Sequence, residues 1–70
     1  MSDSVYKVIE LIGTSPVSWE DAASQAVATA SKSLRDLRVA EVVEMDITIE
    51  DGKISAYRTK LKISFKYLHE

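Results

Sequence analysis

Four carboxylates, Glu44, Asp46, Glu50 and Asp51, crowd one short stretch of this chain. Hard cations such as calcium take oxygen ligands of this kind, which makes the four acids candidate metal ligands. Their spacing does not match the calcium loop of helix–loop–helix proteins. Within one chain the favoured reading is solvated or salt-bridged acids, and copies from neighbouring subunits could complete a site. The bases Lys60, Lys62 and Lys66 recur at alternate or nearby positions and could collect phosphate groups. The competing reading is a solvated strand face whose lysines discourage aggregation. His69 is the single histidine and there is no cysteine, so one chain offers no transition-metal set. A fraying C-terminus is the expected setting of His69. The serines and threonines fall at caps, turns and solvent faces with no base beside them, so no nucleophile is set up. Gly13-Thr14-Ser15 is too short for a phosphate loop. No acid–base pair stands out, and the protein is read as non-enzymatic.

These residues need strands to position them. Residues 38–67 read as one long β-hairpin. On its first strand Val39, Glu41, Val43, Met45, Ile47 and Ile49 alternate with Ala40, Val42, Glu44, Asp46, Thr48 and Glu50. On its second strand Tyr57, Thr59, Leu61, Ile63, Phe65 and Tyr67 alternate with Arg58, Lys60, Lys62, Ser64 and Lys66. Both strands therefore show an apolar odd face and a polar even face. A two-residue loop at Asp51-Gly52 would set odd residues against even ones. A three-residue loop, Glu50 to Gly52, removes that mismatch and pairs 49 with 53, 47 with 55 and 45 with 57. A longer loop of the same parity, or a bulge elsewhere, would serve too. In the preferred register Glu44 faces Arg58, Val42 faces Lys60, and Asp46 lies diagonal to Arg58. Glu41 falls on the apolar face, where an unpaired charge is costly. It is expected near a sheet end or paired with a base.

Residues 5–12 read as a first strand, buried on both sides, that Gly13-Thr14-Ser15-Pro16 stops. A helix follows from Ser18 to near Leu37. Ser18 with Asp21 resembles a capping box, and Glu20 and Asp21 suit the helix dipole. Trp19, Ala22, Ala23, Ala26, Val27, Ala30, Leu34 and Leu37 draw one apolar stripe. Lys32, Arg35 and Arg38 gather at its C-terminal end. Trp19 could stack on a ligand, and the favoured reading is a core or interface anchor. The order strand–helix–strand–strand makes an α+β fold: a three-stranded antiparallel sheet partly wrapped around one helix. Strands of about fourteen residues exceed roughly 40 Å, whereas an eighteen-residue helix spans about 27 Å. The surplus strand surface calls for a partner, and self-assembly is the economical one.

Seventy residues allow a single domain, residues 1–70. A chain this short lies near the lower limit for a self-sufficient core, and oligomerisation is a common remedy. Nine basic and eleven acidic residues give a net charge of −2, which gives no reason to expect nucleic acid. No apolar run approaches a membrane span, and the N-terminal residues lack the features of a signal peptide. The expected setting is soluble and cytoplasmic, with the chain itself as partner.

The run Tyr6-Lys7-Val8-Ile9-Glu10-Leu11-Ile12-Gly13-Thr14-Ser15-Pro16, the alanine-rich helix, then Leu37-Arg38-Val39-Ala40-Glu41-Val42 and the closing Lys62-Ile63-Ser64-Phe65 together resemble the dodecins. The resemblance covers nearly the whole chain. It implies a hollow homododecamer that binds flavin, FMN or riboflavin, as a store or scavenger. It also implies that coenzyme A or metal cations can sit at other interfaces. The family's flavin-stacking tryptophan falls at Val39, its ring-edge glutamine at Arg58, and its acidic ribityl contact at Glu44. Only Glu44 keeps its type. The resemblance is therefore to the branch lacking the flavin tryptophan, some of which carry calcium, with the flavin pocket altered or lost.

Overall fold

The computed structural model describes residues 5–67. Four elements follow one another: β1 (Tyr6–Ser15), α1 (Trp19–Ser31), β2 (Leu37–Glu50) and β3 (Lys53–Lys66). The strands form one antiparallel sheet in the order β1-β3-β2, so β3 is central. This is the expected strand–helix–strand–strand order with one helix on one face of the sheet.

Helix and sheet meet through alanine. Ala22, Ala26 and Ala30 repeat at every fourth position and are buried, and Ala26 and Ala30 form the core with Leu61 and Ile63 of β3, each 1% exposed. Small side chains let the two backbones approach. The approach is tightest at Gly13, where an added Cβ would stand 2.0 Å from the carbonyl oxygen of Ala22. Gly13 is therefore a contact point within β1, and it does not end the strand, which runs on to Ser15. Ile9 and Leu11 pack on the core while Val8 and Ile12 stay exposed on the opposite face. β1 is thus an edge strand covered on one side, where burial on both had been expected.

Ser18 caps α1: its hydroxyl accepts from the backbone N–H of Asp21 at 2.9 Å. The Asp21 carboxylate completes no capping box. It accepts from the buried Ser15 hydroxyl at 2.6 Å, and that hydroxyl accepts from Val17 N–H at 2.9 Å. The helix ends at Ser31, short of the expected Leu37, in a tightened turn where Ser33 N–H donates to Ala30 O at 3.2 Å. Asp36 takes a left-handed φ of 60° and turns the chain into β2. Leu34 and Leu37 keep helical spacing in the sequence and reach the same core from outside the helix. Lys32, Arg35 and Arg38 consequently lie past the last helical turn.

The hairpin turn is the two-residue Asp51-Gly52 loop, with φ values of 53° and 74° and Glu50 paired with Lys53. That replaces the expected three-residue loop. The parity mismatch is absorbed by a bulge, since Ile49 pairs with Ile54 and Thr48 with Ala56. A second irregularity between Val42 and Glu44 shifts the register again. It places Val42 opposite Leu61 and Glu41 opposite Lys62. Glu41 thereby leaves the apolar face on which the simple alternation had put it.

Gly13→Ala should lower stability by about 1–3 kcal/mol through overpacking, read as a lower urea midpoint at fixed protein concentration. An unchanged midpoint would mean that helix and strand do not touch there.

Candidate functional site

Alternation along three paired strands builds a charged surface on the sheet face away from α1. Its rows run Glu10–Lys62–Glu41, Ile12–Lys60–Glu44 and Thr14–Arg58–Asp46 across β1, β3 and β2. Bases on the central strand lie between acids on one or both sides. Glu10 ties to Lys60 at 3.8 Å and to Lys62 at 4.0 Å. A cleft of about 220 Å³ opens among Ile12, Glu44, Asp46, Arg58 and Lys60.

Asp46 and Arg58 hold the best-defined contact in this cleft. The guanidinium donates twice, Nε to Oδ1 at 2.7 Å and Nη2 to Oδ2 at 2.8 Å. This forked geometry fixes both side chains. The hydrogen bonds from Arg58 hold the Asp46 carboxyl below the usual carboxylate range; desolvation opposes them, and the Arg58 charge adds a lesser lowering. The same contact raises the Arg58 pKa. The backbone of Asp46 is anchored from the other side of the sheet, because its carbonyl accepts from Trp19 Nε1 at 3.0 Å. Trp19 also meets Tyr57 edge-on, with ring centroids 5.1 Å apart, and its own carbonyl accepts from Thr59 Oγ1 at 2.9 Å. The indole is an anchor joining the start of α1 to β2 and β3.

Glu44 and Arg58, two of the three positions expected to form a flavin pocket, line this one cleft. They are not opposite each other: Glu44 faces Lys60, and Arg58 faces Asp46 directly. Val39 lies outside the cleft, opposite Ser64 and 63% exposed. A valine presents no plane for an isoalloxazine ring, and the Arg58 fork is already occupied by Asp46.

Of the four candidate metal ligands, Glu44 and Asp46 share the cleft while Glu50 and Asp51 lie at the hairpin turn. Among the described residues, no group of three or more His, Cys, Asp and Glu side chains is close enough to hold a metal ion. His69 lies outside the described residues. Glu10 and Ile12 were missed from the sequence as site residues. Their even positions in β1 carried the signal, but only once β1 was known to lie beside β3.

The model of a family described as Dodecin matches residues 5–68. The chain belongs to the dodecin family. Calcium dodecin of Mycobacterium tuberculosis is 54% identical over 63 residues, 90% of this chain and 89% of that one. Dodecin of Thermus thermophilus is 40% identical over 62 residues, 89% of this chain and 90% of that one. Among solved structures, dodecin from Streptomyces coelicolor matches at a TM-score of 0.92 and 37% identity over all of both chains. The crystal structure of the M. tuberculosis calcium dodecin, described as calcium chelating with a novel calcium-binding site, matches at a TM-score of 0.83 and 56% identity over 93% of each. Among the described residues of this dodecin, no helix is long and apolar enough to cross a membrane.

The depressed Asp46 pKa has a consequence for pH. The stabilisation from the Asp46–Arg58 pair is complete at neutral pH and above the ordinary carboxylate value. It is lost as pH falls through the lowered folded-state value. Carboxyl carbon shifts followed by NMR should show Asp46 titrating below the ordinary range, and within that range in Arg58→Gln. Identical titrations in both proteins would show that the fork does not form in solution.

Proposed function

We propose that this dodecin is a non-enzymatic, self-assembling shell, a homododecamer, that binds or stores a small ligand at junctions between its subunits. One observation carries the assembly. Fourteen large apolar or aromatic side chains are exposed among the described residues, whereas Leu61 and Ile63 are the only aliphatic ones larger than alanine that are buried. The chain exposes 5235 Å². A compact monomer of 7.8 kDa would expose roughly 4,400 Å². The excess is close to the ~800 Å² that one partner contributes to a standard interface.

A divalent cation, with calcium first, is the ligand class best supported. The 54% identical relative carries calcium in its name. Calcium takes about six to eight oxygen ligands, more than one cleft of this chain supplies. Glu44, Asp46, Glu50 and Asp51 would therefore contribute from more than one copy. A flavin in a modified pocket is the second reading, because Glu44 and Arg58 do line one cleft.

Native mass spectrometry of untreated protein reports subunit number and bound mass together. The expected spectrum is a dodecamer that retains calcium, loses it to a chelator, and stays colourless with added riboflavin. A monomeric spectrum would overturn the assembly. A yellow protein carrying flavin mass would favour the second reading over the first.

A further inference from the structure

The helix covers the sheet unevenly. α1 lies over β1 and β3, as Gly13, Leu61 and Ile63 show, and beyond Leu37 and the Trp19 anchor it covers little of the same face of β2. A groove of about 390 Å³ runs between them, lined chiefly by Ala23, Val27, Ala28, Ala40, Val42 and Leu61. None of these side chains is charged, and Val42 is 51% exposed.

At the far end of the hairpin the same face carries a matching feature. The register shift between Thr48 and Ile49 puts its extra residue, Ser55, on β3, so β2 itself keeps alternating from Met45 through Ile47 to Ile49, and Met45 pairs with the buried Thr59 on the helix side of the sheet. Ile49 therefore points to that side, together with its partner Ile54. The two isoleucines are 63% and 53% exposed. Strands of fourteen residues reach about 46 Å, and a helix of thirteen reaches about 20 Å. The tip thus protrudes beyond any cover its own helix can give.

We propose that the Ile49–Ile54 hairpin tip of a second copy of this chain seats in the groove between α1 and β2. This seat presupposes the self-assembly proposed above and names its contact. The exposed apolar side chains of the charged face make a poorer occupant. Val8, Ile12 and Val39 stand among Glu10, Lys60, Lys62 and Glu41, whose charges would lose water on entering an apolar groove. The tip presents two aliphatic side chains together on one side. It fills an apolar groove with apolar surface, and the excess area of the monomer matches one partner's share of an interface.

The absence of cysteine makes the contact testable. Ala28→Cys in the groove and Ile49→Cys at the tip are combined in one chain, and the assembled protein is treated with a short bis-maleimide. The double variant should become covalently linked between chains, while each single variant stays unlinked. Linking of either single variant would place like surfaces together and overturn the proposal. So would an unlinked double variant that native mass spectrometry still finds assembled. A monomeric unsubstituted protein would instead remove the self-assembly on which the seat depends.

Discussion

An alanine-lined helix can lie close on a sheet, and it covers only what lies directly beneath it. Here that contact is Ala22, Ala26 and Ala30 against Gly13, Leu61 and Ile63. It holds β1 and β3 to α1 and leaves much of the inner face of β2, and the hairpin tip, uncovered. The rest of the molecule follows from this restricted cover. A deeper stripe of leucines would have covered more surface but held the helix further from β1. The chain has instead a tight, small core and a large apolar surface. Those are the properties of a subunit that completes its core against other copies.

The charged face is a separate consequence of alternation. Because β3 is central, its bases lie between acids of β1 and β2, as in the row Glu10–Lys62–Glu41. The face is therefore largely neutralised within one chain. The Asp46–Arg58 fork is the extreme case. An acid held by a guanidinium gives up that contact to bind a cation, so Asp46 is the costliest of the four candidate ligands to recruit. Among the described residues, Glu44, Glu50 and Asp51 make no forked contact of that kind, and they lie on a strand and at a turn where neighbouring copies could converge.

The order of elements, the cap at Ser18 and the alanine stripe were legible in the sequence because each depends on local spacing. So was the polar character of Glu44, Asp46, Arg58 and Lys60. What was not legible depended on where single residues interrupt a pattern. Leu34 and Leu37 continue the helical spacing after the helix has ended, and both still reach the same core. The two-residue turn was set aside because strict alternation forbids it, and a bulge after Ile54 is what permits it. The irregularity at Val43 moved Glu41 to the charged face opposite Lys62, and the turn with its bulge moved Glu44 from Arg58 to Lys60. Glu10 and Ile12 entered the site only through the lateral position of β1, which local spacing does not encode.

The central claim is that one chain leaves too much apolar surface to be stable alone. The dependence of the thermal midpoint on protein concentration tests this directly. If folding is linked to association, the midpoint rises steadily with concentration over the range in which the assembly dissociates. A midpoint that does not move across that range, in a protein shown to be monomeric at its lower end, would mean that the single chain is sufficient and would contradict the account.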